Sequence, residues 1–349
     1  MNAVRTLLSY LSAKLLEPSP HPVLRHSGRR TVRLSAVFLS QLDGQTALYP
    51  VADHSRIGVH VLRLATFLAA IPADLDIPAD LPAIPDEPAT SLPFFEAYFS
   101  NFIEGTEFSV EAAEAIVASG EIPAERPEDA HDVLGTFEAV ADPELRAAVP
   151  DTSDELFALL ERRHRLVMGG RPDQRPGRFK DKANQAGSYV FVAPALVEGT
   201  LIEGFRRLVD LPPGFSPAMF ELFVISEVHP YDDGNGRVAR AAMCAELTAG
   251  GQARIVVPIV FRNEYQTALR NLSREGRCDL YVRTLAHAWR WTAGMPWQDR
   301  AAVDGYLVAT NALTDSTDAE RSILRLELPS PRPRRLRPFR SLVRNAPWR

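Results

Sequence analysis

Beyond residue 91 the apolar positions recur mostly at helical spacing. Leu92–Ile103 predicts an aromatic-rich helix stopped at Gly105, and Ser109 caps a short helix reaching Ser119. Glu128–Val140 predicts another helix. Thr152-Ser-Asp-Glu155 is a capping box that opens a helix to about Met168, ended by Gly169-Gly170. Residues 171–192 are rich in Gly, Pro and Arg and turn β-like over Ser188–Val192. Pro194 suits the first position of a helix to about Val209. Ser216-Pro217 reads as a cap followed by proline, opening an apolar helix that ends near Val228. Asn235–Ala249 predicts a helix stopped by Gly250-Gly251, and Arg254–Val260 is a short apolar run. Helices over 262–274, 279–292 and 299–312 follow.

The first 70 residues carry a weaker pattern. Thr31–Leu39 alternates faintly and Asp43-Gly44 is a turn signal, which fits a hairpin over 31–51. Six prolines mixed with acids between Pro72 and Pro93 read as an extended linker. The expected organisation is an N-terminal region and Pro-rich linker over 1–91, a main domain over 92–312, and a C-terminal segment over 313–349 with a disordered Arg/Pro-rich tail. The fold class is mainly α, a helical bundle with a short β-hairpin; the structure of the N-terminal segment stays open. Strands do not alternate with helices, which argues against a doubly wound sheet.

Composition narrows the classes. Charged residues make up 24% and apolar ones 46% of 349 residues, values of a globular chain able to bury a core without staples. Two cysteines, Cys244 and Cys278, exclude a disulfide scaffold and a four-thiolate zinc site and fit a reducing compartment. The net charge of −5 argues against a general nucleic-acid binder, although 331–349 holds seven arginines and no acid. The most apolar stretch, Gly58–Ala70, is broken by His60 and Arg63 and is too short to span a bilayer. Lys14 interrupts the N-terminal apolar run, so it does not read as a signal peptide, and the expected location is the cytoplasm.

The chemistry concentrates in residues 229–240, His-Pro-Tyr-Asp-Asp-Gly-Asn-Gly-Arg-Val-Ala-Arg, set between two helices. Gly234 and Gly236 allow a tight turn and close approach of backbone amides to a ligand. The following helix offers free N–H groups and a partial positive charge at its N-terminus. Arg237 and Arg240, three apart, project from one side of its first turn. Together these form an anion cradle suited to a polyphosphate. Asp233 at its edge suits Mg2+, and His229 suits a proton acceptor near neutral pH. A base, a metal carboxylate and a phosphate cradle imply nucleotidyl or phosphoryl transfer to a hydroxyl. The rival dinucleotide fingerprint Gly234-Asn-Gly-Arg-Val-Ala239 lacks the preceding strand and the later acid it needs. No Walker A motif or nucleophile elbow occurs, and no third ligand completes zinc around His229 and Asp233.

The same segment resembles the signature of the Fic (filamentation induced by cAMP) family, H-x-F-x-[DE]-G-N-G-R-x-x-R, with Tyr231 in place of the phenylalanine. Pro176-Gly-Arg-Phe-Lys180 and Arg262-Asn-Glu-Tyr265 resemble further family elements, and the resemblance spans about 92–290. It implies a Fic-fold bundle and a protein adenylyltransferase that moves AMP from ATP, with Mg2+, onto a Ser, Thr or Tyr hydroxyl of a target protein. It implies His229 as general base and Asp233 as the metal ligand. Gly234, Asn235 and Gly236 would form the anion hole, Arg237 would hold the β/γ-phosphates, and Arg240 would orient the γ-phosphate. A flap at about 185–192, with Ser188, Tyr189 and Val190, would pin the target by strand addition. Self-modification and a homodimer are compatible with it; a membrane partner is not expected, nor is nucleic acid.

Ser100-Asn-Phe-Ile-Glu104-Gly105 resembles the family's inhibitory motif [ST]-x-x-x-E-[GN], in the N-terminal position used by one class of it. The resemblance implies that Glu104 salt-bridges Arg240 and that Ser100 supports the helix by hydrogen bonding. AMP removal by the same site, use of another nucleotide, and a nucleotide-sensing regulator remain alternatives. Glu161-Arg-Arg-His-Arg165 reads as a solvated helix face, and His287, Trp289 and Trp291 as packing.

Overall fold

The computed structural model describes residues 57–78, 80–82, 91–211 and 214–330, all within one unit, Gln45–Arg349. The expected 31–51 hairpin, residues 79 and 83–90 of the Pro-rich linker, and the arginine tail lie outside the described residues.

The elements are helices with one small hairpin. They run α1 (Ile57–Ala69), α2 (Leu92–Ile103), α3 (Val110–Ser119), α4 (Pro127–Ala141), α5 (Ser153–Val167), β1 (Gln185–Ala186), β2 (Tyr189–Val190) and α6 (Val197–Leu208). Then follow α7 (Phe215–Val228), α8 (Asn235–Ala249), α9 (Arg262–Glu275), α10 (Cys278–Gly294), α11 (Arg300–Ala309) and α12 (Ser316–Ser322). The bundle is therefore mainly α, as the periodicity implies. Ser109 Oγ accepts from the Ala112 N–H at 3.1 Å, and Thr152 Oγ1 accepts from Glu155 N–H at 3.1 Å, so both caps are made. Glu155 reaches back to the N–H of Asp151, one residue before the cap, at 2.7 Å.

Helices α7 and α8 form the centre, packed on each other, with α1 and α6 against α7 and α5 against α8. Every residue of α7 except Ser226 is buried. Phe220 and Phe223 are fully enclosed; burying each contributes about 1.5–3 kcal/mol. A helix apolar all round belongs in the middle of a bundle. Its C-terminus is thereby fixed, and so is the loop that follows. Helix α2 packs on α4 and buries Phe95 and Phe99 against Trp297 and Trp291. Its start is tied by Ser91, whose N–H and hydroxyl both donate to Trp297 O at 3.0 Å. The end of α2 then arrives beside the start of α8.

Two expectations are corrected, for Ser216 and for residues 161–165, and the weakly patterned stretch 58–70 gains an element. Ser216 does not cap α7: the helix starts at Phe215 behind Gly214, whose φ of +107° breaks the chain there, and the Ser216 hydroxyl donates to Leu68 O of α1 at 3.0 Å. The apolar stretch 58–70 is a core helix, α1, burying Val61, Leu64 and Leu68. Among the described residues no helix is long and apolar enough to cross a membrane. Residues 161–165 are not a uniformly solvated face. Arg163 and His164 are 2% and 0% exposed, because α5 is wedged between α4 and α8.

Candidate active site

His229 ends α7. It adopts φ +51°, ψ +60°, and its N–H still bonds Ile225 O at 2.9 Å. This left-handed C-cap turns the chain out of the helix and holds the imidazole at the mouth of a cleft. The ring stacks on Phe191, centroids 3.8 Å apart and planes 6° from parallel, and Nδ1 lies 3.3 Å from Ser226 O. A carbonyl at Nδ1 favours the tautomer protonated there and leaves Nε2 with its lone pair. Burial, with the Lys180 charge nearby, pushes the pKa down to about 4 against the pull of Ser226 O, Glu104 and Asp233. His229 is therefore neutral at pH 7, the form that accepts a proton.

The loop behind it is held from several sides. Asn235 Oδ1 accepts from the Tyr231 N–H at 2.8 Å and its Nδ2 donates to Tyr231 O at 2.9 Å. Its side chain thus locks the loop's two arms together and is turned away from any ligand. Lys180 and Asn184 brace the other flank: Lys180 N–H donates to Pro230 O at 2.8 Å, Lys180 Nζ to Val228 O at 3.2 Å, and Asn184 Nδ2 to Tyr231 O at 2.9 Å. Tyr231 is fully buried in the phenylalanine position, stacked at 3.7 Å on His164, and its hydroxyl makes no hydrogen bond among the described residues. His164 Nδ1 accepts from the Gly177 N–H at 2.8 Å, so its Nε2 donates to Asp233 O at 3.0 Å. Burial lowers its pKa to about 4.

Gly234, with φ +73°, precedes α8, and a Cβ there would lie 2.6 Å from Met168 Sδ, so only glycine fits. Asp233 Oδ1 accepts from Gly234 N–H at 2.6 Å, and the side chain is 51% exposed. Asp232, its neighbour, is spent on Arg175 at 2.8 Å. Among the described residues no cluster of three metal-ligating side chains exists. A single available carboxylate beside an anion site fits Mg2+ carried in on phosphate oxygens, which needs one or two protein carboxylates.

The two arginines part company. Arg237 turns inward, 2% exposed, onto Asp132 Oδ2 of α4 at 2.7 Å, with Asn101 Oδ1 at 3.3 Å. It does not line the cleft, unlike the expectation that both arms face one ligand; its partner Asp132 is 1% exposed and also holds Arg171 at 2.9 Å. Arg240 does line the cleft. Its Nη2 meets Glu104 Oε1 at 2.7 Å and Ser100 O at 2.9 Å, and its Nε meets Ser100 Oγ at 2.9 Å. The Tyr265 ring lies 6.0 Å below it. Burial works against the Arg240 charge, yet Glu104 and Tyr265 hold its pKa above the ordinary arginine value. A Cβ on Gly236 would overlap Glu104 Oε1, so the Glu104 carboxylate lies directly over the first turn of α8.

The cleft has a volume of 510 Å3 and brings together His229, Gly236, Arg240 and Glu104. One wall is the hairpin: Gln185 pairs with Val190 and Ala186 with Tyr189, and Ser188 sits in the turn. Tyr189 points inward, its hydroxyl bonded to Glu227, whose second oxygen accepts from Ser273 Oγ of α9 at 2.5 Å. Val190 is 53% exposed. The opposite wall is α9. Sequence reasoning passed over Asp132, His164 and Glu227; an acid two residues before His229 in an otherwise apolar helix end was the available signal for Glu227.

Residues 156–247 match the family model described as Fic/DOC family. The chain is 27% identical over 240 residues to a protein adenylyltransferase Fic of Nematostella vectensis, covering 64% of this chain and 53% of that protein. It is 25% identical over 203 residues to the protein adenylyltransferase fic-1 of Caenorhabditis elegans, covering 55% and 39%. The chain thus spans about half the length or less of these curated relatives. Among solved structures, Fic-1 of C. elegans superposes with a TM-score of 0.47 at 21% identity, covering 73% of this chain and 74% of that one. A Fic domain protein of Bacteroides thetaiotaomicron gives 0.48 at 15%, covering 70% and 97%. The segment that matches the Fic/DOC family model contains the complete 229–240 loop, so the similarity to that family lies on the part of the chain that carries the candidate site.

Proposed function

We propose that the chain is a protein adenylyltransferase, transferring AMP from ATP to a hydroxyl of a protein target. The observation that carries this reading is the meeting of a neutral His229, the N-terminus of α8 at Gly236, and the Arg240 guanidinium in one cleft. His229 Nε2 takes the proton of the target hydroxyl. The freed oxygen bonds the α-phosphorus, the bond from that phosphorus to the bridging oxygen breaks, and pyrophosphate leaves. The N–H groups at the start of α8 receive the phosphate charge, and Arg240 takes its far end. Mg2+, held by Asp233, would offset charge on the phosphate oxygens. Arg237, sequestered on Asp132, acts in this reading as a buried brace for the loop rather than as a phosphate arm.

Glu104 is the regulator in this reading. Its carboxylate occupies Arg240 and covers the first turn of α8, where phosphate would bind. Ser100 holds the arginine in that pose. Cys244 and Cys278 are both free and buried, in keeping with a cytoplasmic setting. The target is a protein with a modifiable Ser, Thr or Tyr, and the chain itself is one candidate. Intact-mass spectrometry after incubation with ATP and Mg2+ tests the reading: addition of AMP to this chain or to a lysate protein supports it. Nucleotide bound without any covalent product would favour a sensor instead.

A further inference from the structure

The cleft's two walls differ in charge. The hairpin wall offers backbone and the ring of Phe191. The α9 wall presents Arg270 and Arg274, one turn apart, both exposed and both lining the cleft. Among the described residues neither forms an ion pair with an acid; Arg270 Nη2 only donates to Thr267 Oγ1 at 3.0 Å. The acids in the same cleft are already engaged: Glu104 with Arg240, and Glu227 with Tyr189 and Ser273. The uncompensated charge of the cleft is thus positive and lies on α9, in a chain whose net charge is −5.

Position gives this charge a use. Glu227 binds the hairpin through Tyr189 and α9 through Ser273, so a single buried carboxylate sets the distance between the walls. A two-stranded hairpin has open edges where an extended segment can add, and α9 lines the same cleft. Residues four apart on a helix have Cβ atoms about 6 Å apart, close to the roughly 6.7 Å between alternate residues of a strand. Arg270 and Arg274 can therefore meet two alternate side chains of one extended segment.

We propose that Arg270 and Arg274 select target segments that carry acidic side chains beside the modified hydroxyl. This rests on the protein-modifying reading above and names its substrate class: an extended, acidic, hydroxyl-bearing segment. Each exposed arginine–carboxylate pair is modest, so two of them give a preference of about five- to tenfold in Kd over a neutral segment.

The test is binding, which requires no transfer. Short dye-labelled peptides with a central threonine, flanked at alternate positions by Glu, Gln or Lys, are titrated with the full chain by fluorescence anisotropy. The expected order of affinity is Glu, then Gln, then Lys. The double variant Arg270→Glu/Arg274→Glu should reverse it, and both substitutions are on an exposed face, so melting by circular dichroism should match wild type. Equal affinity for the three peptides, or no measurable binding of any, overturns the proposal. So does a double variant that loses ATP affinity by calorimetry while keeping the peptide order, because the arginines would then belong to the nucleotide. Failure of AMP transfer with the peptide order intact would instead count against the functional reading.

Discussion

Replacing Glu104 with glycine removes the one carboxylate that, among the described residues, holds Arg240. The pair is unequal in exposure: the Arg240 side chain is 7% accessible and that of Glu104 33%. A charge-assisted hydrogen bond contributes about 1.5–3 kcal/mol, and the half-open glutamate places this one near ~2 kcal/mol. If phosphate must displace Glu104 to reach Arg240 and the first turn of α8, that cost is carried by every productive encounter. Its removal should raise the labelling rate about 30-fold. Glu104 closes a helix and is followed by Gly105, so glycine there disturbs little else. The assay is the initial rate of transfer from α-labelled ATP to the chain or to target protein, with Mg2+ in excess. Glu104→Gln, which keeps the shape and loses the charge, should be activated only in part. Adding Arg240→Ala to Glu104→Gly should return the rate to the basal level. A rise below about fivefold would mean the pair behaves like an exposed surface bridge worth under 1 kcal/mol. An unchanged or lower rate refutes the competition argument, and a lower rate would make Glu104 a productive residue, as AMP removal requires.

Other outcomes follow from the same geometry. His164 has an unfolded pKa near 6.5 and a folded one of about 4, so the unfolded state binds the extra proton between these values and stability falls on acidification through that window. Urea unfolding at pH 5 should show His164 costing about 2 kcal/mol relative to pH 7 beside a similar cost from His229, so His164→Asn should remove about half of the slope. Asp132→Ala strands Arg237 in the interior and should destabilise by about 3–5 kcal/mol in the same assay. Asp233→Ala should nearly abolish transfer and its dependence on Mg2+ in a metal titration, whereas Asp232→Ala, which frees Arg175, should leave that dependence intact. The reverse ranking would move the metal to Asp232.

Local signals were legible and long-range ones were not. The ends of α2, α3, α5 and α8 could be read because glycines and hydroxyl caps mark them within a few residues. Ser216 carries the same signal, yet its hydroxyl is claimed by α1, some 150 residues earlier in the chain, and so the cap was misplaced. His60 and Arg63 break the apolar run of residues 57–69, so the run alone does not announce α1 as a helix. In the loop, glycine and arginine spacing pointed to the cradle, but the direction of each arm depends on distant partners. Asp132 draws Arg237 inward from over a hundred residues away, and Ser100 with Glu104 claims Arg240. The Ser100–Glu104 motif could be paired with Arg240 only through the family resemblance, since nothing local in either segment announces the contact. The burial of Arg163 and His164 depends on which face of α5 meets α8, which an alternation of charges does not encode.

The central claim is that His229 in this cleft drives transfer of the α-phosphoryl nucleotide unit to protein. It is tested most directly by parallel incubations of the Glu104→Gly chain with α-labelled and γ-labelled ATP, each with and without His229→Ala. The account predicts covalent label from the α position alone, its loss in the His229→Ala chain, and unchanged ATP binding by calorimetry in that variant, because the imidazole acts on the hydroxyl rather than on the bound nucleotide. Label from the γ position, or α-label retained near its full level without the imidazole, would contradict it.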